Sequence, residues 1–391
     1  MTREATSWAE AELERLDAAG LRRTLEPLAS AQGAVVRLGQ EELLNFSSND
    51  YLGLARHPAL ARAANEAAQH LGFGTGASRL VVGDTTQHAQ LEEAAGQLFD
   101  ASALLFNSGY AANAGILSTL AGRDDAIFSD ALNHASLIDG ARLSRAKVEL
   151  FPHRDVAALE KLLASSAARR KLVCTDAVFS MDGDLAPLAD LADACERHAA
   201  ALVVDEAHAF GVFGPKGRGL SDALGLASRV DVRMFTLGKA AGSFGAFAVG
   251  SEPIVEWLRQ RARSFVFSTS LPPPVCAASG AGLQLLAGAD GLRRHLWQLI
   301  EQLAAGLGAL GIEAQARSPV FPIVLGSPAR ALEASQALRA RGLLVKAIRP
   351  PTVPEGTSRL RVSLSAAHTK AHVDQLLEAL ETMESRDVRV A

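Results

Sequence analysis

Short apolar, strand-like runs alternate with Ala- and Leu-rich helical patterns from about residue 45 to residue 270. The runs are SALLFN, AIFSD, KVELFP, KLVCTDAVFS, ALVVDEAH, VRMFTLG and GAFAVG. Alternation of this kind is typical of strands that are joined by crossover helices. It predicts an α/β fold with a mostly parallel sheet that is flanked by helices on both faces.

The two ends of the chain have different patterns. Residues 7–24 carry apolar side chains at helical spacing among charges, and Pro27 ends the pattern, which predicts an amphipathic helix that lies on another surface. Successive prolines at 272–274 break any regular element. We therefore predict an N-terminal helix or arm over residues 1–44, a large domain over 45–270 and a smaller C-terminal α+β domain over 271–391.

Composition and charge exclude several classes of function. The 391 residues are 48% hydrophobic, and 39 basic against 43 acidic residues leave a net charge of −4. Because charges of one sign form no long block, the sequence indicates neither a nucleic-acid surface nor a polybasic membrane patch. We expect a small-molecule partner and a large buried core.

The cysteines and the N-terminus indicate where the protein works. Cys174, Cys195 and Cys276 are far apart and lack metal spacing such as C-x-x-C, which predicts buried, reduced thiols. The N-terminus has no apolar signal region, and no segment approaches the roughly 18 apolar residues of a membrane span. We therefore expect a cytoplasmic protein.

Three partial motif matches are rejected. VVDEAH resembles a Walker B sequence, but Ala240 follows the only Gly-Lys pair, so no P-loop is predicted. GFGTGA fits a loose dinucleotide fingerprint, yet it follows a helical pattern and not a strand. The histidines lack ligand spacing such as H-E-x-x-H, so no metal is predicted, and His153 and His198 are interpreted as surface or capping residues.

The sequence also allows an alternative function from another class of enzyme. AGSFG around Ser243 resembles a nucleophile elbow, with alanine in place of the first glycine. His295 or His368 would complete a triad later in the chain. The sequence therefore leaves a serine hydrolase as an alternative.

A lone lysine indicates a different chemistry. Lys239 lies among small, apolar and hydroxyl residues, and the upstream run ALVVD ends at Asp205, shortly before His208. Pyridoxal 5'-phosphate (PLP) requires an amine that forms a Schiff base and a carboxylate that keeps the pyridine nitrogen protonated. Asp205 is at the C-terminal end of a strand, where ligands bind in open α/β sheets, and His208 is placed to donate to the phenolic oxygen.

A PLP enzyme also needs a site for the cofactor's phosphate. NSGYAANAGIL is a strand-to-helix turn in which Ser108, Gly109 and Tyr110 precede an Ala-rich helix, whose N-terminus would bind the dianion. Tyr110 or His134 would stack on the ring. The hydroxyls of Ser180 and Thr236 would hold the phenolic oxygen and the phosphate.

Taken together, the motifs resemble those of the α-oxoamine synthases, which are fold type I PLP-dependent transferases. These enzymes condense an amino acid with an acyl thioester and release carbon dioxide. The resemblance covers almost the whole chain, through NFSSNDYLGL, GDTTQHAQLE, FNSGYAAN, LNHASLIDG, FSMDGDLAPL, DEAHAFGVFGPKGRG, TLGKAAGSFGAF, FSTSLPP and IRPPTVPEGTSRLRVSLSAAH.

Two further stretches, RLSRAKVELFPHRD and IRPPTVPEGTSRLR, most resemble the branch of the biotin pathway. That branch joins L-alanine to a pimeloyl thioester of CoA or acyl carrier protein, so the resemblance implies a PLP-dependent acyltransferase. The aminolevulinate and aminoketobutyrate branches stay open as alternatives. Members of the family are homodimers with the site at the subunit interface, where Phe267–Ser270 would reach the neighbour's phosphate.

The resemblance also assigns roles around the cofactor. Lys239 is implied as the Schiff-base lysine that also removes the Cα proton, Asp205 pairs with the ring nitrogen, and His208 and Ser180 contact the phenolic oxygen. His134 would stack on the ring face and polarise a keto oxygen. The phosphate contacts implied by the family are Gly109, Tyr110 and Thr236.

The implied substrate contacts lie elsewhere in the sequence. Arg361 resembles the clamp that fixes the alanine carboxylate by bidentate hydrogen bonds, and Arg359 would face the same side of a strand. Arg22 and Thr352 correspond to contacts with the acyl substrate, and Asn49 lies near the site.

The chain departs from the family pattern in two places. Asp176 stands where a glutamate is usual, and Ala209 and Phe210 stand where smaller or hydroxyl residues are common. We expect the shorter carboxylate of Asp176, and Phe210 as a residue that narrows the acyl site, to affect the preference for the acyl chain but not the type of reaction.

Overall fold

The structure is a computed structural model that describes residues 6–384. Two compact units are present, one formed by Asn49–His295 and the other by the residues before and after it. Residues 1–5 and 385–391 of the predicted N-terminal arm and C-terminal domain lie outside the described residues.

The strands are numbered along the chain. They are β1 (Val35–Leu38), β2 (Glu41–Asn45), β3 (Ser102–Phe106), β4 (Ala126–Asp130), β5 (Lys147–Phe151), β6 (Lys171–Asp176), β7 (Ala200–Asp205), β8 (Val232–Thr236), β9 (Ala246–Gly250), β10 (Val320–Gly326), β11 (Leu343–Leu344), β12 (Ala347–Ile348) and β13 (Ser358–Ser363).

The α-helices are numbered in the same way. They are α1 (Trp8–Ala18), α2 (Pro58–Leu71), α3 (Thr86–Phe99), α4 (Gly109–Leu120), α5 (Ala135–Ser144), α6 (Val156–Ser165), α7 (Leu188–Arg197), α8 (Leu220–Ala223), α9 (Glu252–Arg261), α10 (Arg263–Val266), α11 (Pro273–Ala287), α12 (Asp290–Ala309), α13 (Pro328–Arg339) and α14 (Lys370–Glu384).

The larger unit is built around a seven-stranded sheet in the order β3-β9-β8-β7-β6-β4-β5. All neighbours in this sheet are parallel except β9, which is antiparallel to both β3 and β8. Each apolar run predicted in the middle of the chain forms one of these strands, so the prediction of a mostly parallel α/β sheet is confirmed. Strands such as β4 and β8 are buried at every position, which explains their continuous apolar sequences.

The smaller unit contains two short sheets, β1-β2-β11 and β10-β13-β12. The run LLVKAI (residues 343–348) is divided between them: β11 pairs with β2, whereas β12 pairs with β13. The hairpin of β1 and β2 was not predicted, and its residues lie within the region expected to be an arm. Helix α1 forms near the expected place, but none of its residues is buried.

The boundary of the larger unit differs from the prediction. The prolines at 272–274 do not separate domains, because Pro273 and Pro274 occupy the first turn of α11, where proline is tolerated. Helix α11 packs against α2 and α3 in the larger unit. The division falls after His295, inside α12, and the residues up to Ser48 join the C-terminal ones.

The cysteines are as predicted. Cys174, Cys195 and Cys276 are free and buried, and burial raises the pKa of each thiol to about 12. Among the described residues, no helix is long and apolar enough to cross a bilayer. The same residues contain no cluster of three His, Cys, Asp or Glu side chains suited to a metal ion.

His153 is not the surface or capping residue that the sequence suggested. Its Nδ1 lies 2.9 Å from Asp130 Oδ1, and its Nε2 lies 2.9 Å from Asp184 Oδ2. A histidine between two carboxylates is protonated on both nitrogens, and although burial opposes the charge, the two aspartates raise the pKa of His153 to about 9.

This cluster predicts a pH-dependent stability. Because the folded pKa of His153 is above the unfolded one, its stabilisation is complete below about pH 6.5 and is lost as pH rises through about 9. We expect His153→Gln to lower the melting temperature at pH 6 and to have little effect above pH 9.5. The control is His70→Gln, because His70 is exposed. If the difference in melting temperature between wild type and His153→Gln stayed constant with pH, the raised pKa of His153 would be contradicted.

Candidate active site

Lys239 lies in a tight turn after β8. Backbone hydrogen bonds close the turn, from Leu237 N to Gly245 O, from Ser243 N to Leu237 O and from Gly242 N to Lys239 O, each at 2.9 Å. Gly242 has φ of +70°, and a Cβ there would lie 2.5 Å from the Leu54 carbonyl carbon. Only glycine fits this position, so the local sequence fixes where the lysine points.

The lysine amine ends a chain of polar side chains. Lys239 Nζ lies 2.9 Å from His208 Nε2, and His208 Nδ1 lies 2.6 Å from the hydroxyl of Tyr51. The Tyr51 hydroxyl donates to Asn49 Oδ1 at 3.3 Å, so its oxygen accepts from His208 Nδ1–H. His208 Nε2 is then the acceptor that faces the amine. The structure thus brings the predicted residues Asn49, His208 and Lys239 together.

Asp205 is the buried acid of the site. It ends β7 and is 3% exposed. Its Oδ1 accepts from Ala207 N at 2.8 Å, and its Oδ2 accepts from Asn113 Nδ2 at 2.7 Å. Both oxygens of this buried carboxylate thus accept hydrogen bonds, and a protonated ring nitrogen would complement it.

His134 and Asp176 lie beside this carboxylate. Asp176 is the register partner of Asp205 on β6, and its Oδ2 accepts from His134 N at 2.7 Å. Burial and the negative charge of Asp205 raise the pKa of Asp176 well above its usual value. Burial lowers the pKa of His134, Asp205 opposes this shift, and the positive charge of Lys239 adds to it.

An anion cradle lies at the start of α4. Ser108 caps the helix, with its Oγ accepting from Ala111 N at 3.1 Å, and the first turn has no acidic residue. A Cβ on Gly109 would lie 3.4 Å from Met234 Cε and 3.8 Å from Thr236 Cβ. The predicted residues Ser108, Gly109 and Thr236 are therefore neighbours, and a helix N-terminus of this kind binds phosphate.

Tyr110 and Ser180 are placed less centrally. Tyr110 is 49% exposed, and its hydroxyl donates to Asp139 on α5. Ser180 is half-buried in the turn after β6, which is closed by the hydrogen bond from Phe179 N to Asp184 O. Their predicted contacts with the phosphate and the phenolic oxygen remain predictions.

The predicted substrate residues Arg22, Thr352 and Arg361 belong to the smaller unit. Arg361 is buried on β13, where its Nη1 donates to Ser363 Oγ at 2.8 Å. Arg22 is half exposed and pairs with Asp17 at 2.6 Å. The arginine that reaches Thr352 Oγ1 is the next one along, Arg23, at 2.9 Å.

Phe210 does not line the site. It is 1% exposed, and its ring lies 5.7 Å from that of Phe99 and 5.3 Å from that of Phe235. The expectation that it narrows the acyl site is wrong, because the side chain is part of the aromatic core under the sheet.

The geometry disfavours the serine hydrolase. Ser243 Oγ is hydrogen-bonded to Ser279 Oγ at 2.8 Å, and Ser279 Oγ donates to Phe244 O. A hydroxyl is not a base that activates serine. The ring of His368 is already committed to backbone groups, with Nδ1 accepting from Ser365 N and Nε2 donating to Asn45 O.

Taken together, these residues fit PLP. An amine, a buried carboxylate and a helix N-terminus meet at the carboxyl ends of β3, β7 and β8, which is where open α/β sheets bind ligands. Sequence reasoning missed Tyr51, Asn113 and Ser136, although all three stand inside the motifs NFSSNDYLGL, FNSGYAAN and LNHASLIDG.

Comparisons with known proteins agree with this geometry. The family model of aminotransferase class I and II matches residues 41–380. An 8-amino-7-oxononanoate synthase of Anaeromyxobacter dehalogenans (strain 2CP-1) is 58% identical over 382 residues, covering 97% of this chain and 96% of that protein.

Solved structures show the same fold. Serine palmitoyltransferase of S. paucimobilis with bound PLP-myriocin aldimine has a TM-score of 0.93 at 32% identity, covering 98% of each chain. An 8-amino-7-oxononanoate synthase of Francisella tularensis has a TM-score of 0.75 at 30% identity, covering 88% of this chain and 98% of that one. The chain therefore belongs to the aminotransferase class I and II family and, within it, to the 8-amino-7-oxononanoate synthases.

Proposed function

We propose that this chain uses PLP to condense L-alanine with a pimeloyl thioester, giving 8-amino-7-oxononanoate, carbon dioxide and the free thiol in biotin biosynthesis. The observation that carries the proposal is the amine of Lys239, held 2.9 Å from His208 Nε2 in the same unit as the buried Asp205. The 58% identity to a protein of that name, over nearly the whole chain, supports the choice of reaction.

The residues divide the work between holding the cofactor and moving protons. Bound PLP supplies an electron sink for the negative charge that develops on the substrate carbon. Lys239 would hold the cofactor and then, as a free amine, remove the Cα proton of alanine. Asp205 would keep the ring nitrogen protonated, and the N-terminus of α4 with Thr236 would bind the phosphate.

The substrate residues would orient the reacting bond. Arg361 would bind the alanine carboxylate with two parallel hydrogen bonds, which fixes the direction of the Cα–H bond. His134 would polarise the keto oxygen that forms from the thioester carbonyl. Arg22 and Thr352 would contact the acyl chain, with Arg23 now added because it donates to Thr352.

The proposal is tested by product analysis. Purified protein with PLP is incubated with pimeloyl-CoA and, in separate reactions, alanine, glycine or serine, and the products are identified by mass spectrometry. We expect 8-amino-7-oxononanoate with alanine only. Acetyl-CoA and succinyl-CoA with glycine test the sister reactions of glycine C-acetyltransferase and 5-aminolevulinate synthase.

Each outcome has a clear meaning. Turnover with glycine alone would assign the chain to a sister reaction and would still agree with PLP chemistry. Pimeloyl-acyl carrier protein replaces pimeloyl-CoA in a parallel set, because both donors present the same thioester. Absence of product with either donor would overturn the proposed reaction.

We also propose that the protein is a cytoplasmic homodimer whose site lies at the subunit interface. Free, buried thiols suit a reducing compartment. Leu80, Val81, Val82 and Phe267 are 50–76% exposed, and exposed apolar side chains of this size mark contact surfaces when they cluster. Light scattering after size-exclusion chromatography should give twice the chain mass of 41.0 kDa.

A further inference from the structure

Asn113 connects two residues of the site through one amide. The side chain lies on α4 and is fully buried. Its Nδ2 donates to Asp205 Oδ2 at 2.7 Å and to Ser136 Oγ at 2.9 Å. Since an amide nitrogen has two hydrogens and no acceptor, both bonds run outward from Asn113.

A further hydrogen bond connects Ser136 to His134. Ser136 Oγ lies 2.7 Å from His134 Nδ1, and the backbone N of Ser136 donates to the same nitrogen at 3.2 Å. Because Ser136 Oγ accepts from Asn113, its own hydrogen is free to point at His134 Nδ1. Nδ1 is then an acceptor, so the proton of the neutral ring is on Nε2.

The orientation of the amide depends on the charge of Asp205. The Oδ1 of Asn113 is buried without a hydrogen-bond partner, which is unfavourable for a carbonyl. Rotating the amide by half a turn would direct this oxygen at the Asp205 carboxylate and leave Asp205 with one donor. An ionised Asp205 therefore fixes the amide, and the amide in turn favours ionised Asp205.

We propose that Asn113 is a positioning residue of the reaction: it holds Asp205 ionised and, through Ser136, fixes His134 as a donor at Nε2. His134 accordingly acts as a hydrogen-bond donor to a developing oxyanion and not as a base. His134 as a whole is exposed, while its Nδ1 is engaged by Ser136, which leaves Nε2 as the ring nitrogen available to a bound molecule. This inference rests on the proposed function, because Asp205 and His134 act there on PLP and substrate.

The test compares Asn113→Ala, Ser136→Ala and the double variant in the full-length holoenzyme. We expect Asn113→Ala to lower kcat about 10-fold or more and to weaken PLP binding by a similar factor, since it removes a hydrogen bond to a charged group. Ser136→Ala should lower kcat while PLP affinity stays near wild type. The KM for alanine should change less than threefold in each.

The double variant shows whether the residues form one chain. Asn113 reaches His134 only through Ser136, so adding Ser136→Ala to Asn113→Ala should lower kcat by less than twofold more. Asn113→Asp keeps the shape and places a second carboxyl against Asp205; it should fold and lose kcat at least as much as Asn113→Ala. Asn45→Ala, a buried asparagine of the smaller unit, is the control for lost packing.

The outcomes separate the inference from the proposed function. If Asn113→Ala only lowers the melting temperature, as Asn45→Ala does, and keeps kcat and PLP affinity within twofold, Asn113 is a packing residue and the inference is wrong. If the loss of kcat in the double variant equalled the product of the two single losses, Asn113 and Ser136 would act independently, and the proposed link from Asn113 to His134 would be wrong. A wild-type protein that binds PLP but makes no product overturns the proposed reaction, and the PLP affinities still decide the role of Asn113 at Asp205.

Discussion

Lys239→Ala is expected to lower kcat by about 10⁴-fold or more, which is the upper end of what a positioned general base contributes. The variant loses two functions at once, because the amine both holds the cofactor and moves the Cα proton in the proposed reaction. The fold should remain, since the turn is held by backbone bonds of Leu237, Gly242 and Ser243 that do not involve the side chain. His208 would lose its contact with Lys239 and keep its hydrogen bond with Tyr51.

The measurement pairs kinetics with chemical mapping. Borohydride reduction of the wild type followed by peptide mass spectrometry should place a pyridoxyl group on Lys239. Lys171 is the matched control, a half-buried lysine at the start of β6 whose Nζ donates to Leu163 O at 2.8 Å. Lys171→Ala should keep kcat. If kcat of Lys239→Ala were within tenfold of the wild-type value, the assignment of Lys239 as the cofactor lysine would be wrong.

The pattern of apolar runs predicted the central sheet well because each strand is buried along its length. A run such as VRMFT in β8 has no exposed position, so five consecutive residues are enough to predict a buried strand. The hairpin of β1 and β2 is different, since EELLN carries exposed glutamates at its start and has no turn residues of the strongest hairpin type. Its pairing with β11 depends on residues almost 300 positions away, which a local pattern does not contain.

Candidate site residues can be proposed from the sequence where chemistry dictates the residue type, but not where distant side chains meet. PLP chemistry calls for an amine, a carboxylate and a hydrogen-bond donor, so Lys239, Asp205 and His208 can be proposed from residue type and order alone. The bond of Tyr51 to His208 spans 157 residues, and that of Asn113 to Asp205 spans 92. Tyrosine and asparagine are common in loops and helix starts, and only the folded chain shows what they contact.

Arg22 and Arg23 lie in a segment without a regular repeat, and their side chains have different partners. The segment after α1 has no regular secondary structure, so no periodicity tells which of two adjacent arginines faces a given side. In the structure, Arg22 turns back to Asp17 and Arg23 donates to Thr352. The regular strand β13 puts Arg361 and Arg359 on the same side, and both are buried, so strand periodicity alone does not separate the two candidates.

Asp205→Asn should lower kcat by about 10²- to 10⁴-fold, with a smaller loss of stability. The substitution keeps the shape but removes a buried negative charge, and breaking one side of a buried charge pair costs about 3–5 kcal/mol. That energy corresponds to the stated loss in rate if it falls on the protonated ring that the reaction needs. The amide would also place an N–H group against Asn113 Nδ2 or Ala207 N, each of which now donates to the carboxylate.

The control for this variant is a buried aspartate at the amino-terminal ends of the parallel strands, whereas Asp205 lies at a carboxyl end. Asp125 is 2% exposed just before β4, and Arg169 and Arg170 bind its carboxylate, with Arg170 as the main cause of a pKa lowered to about 2. Asp125→Asn should lower the melting temperature and leave kcat within twofold. Asp205→Asn should instead weaken PLP binding and lower kcat at every pH from 6 to 9, because the missing charge cannot be restored by titration. If Asp205→Asn changed only stability, as Asp125→Asn should, the carboxylate would be structural and the ring nitrogen would need another partner.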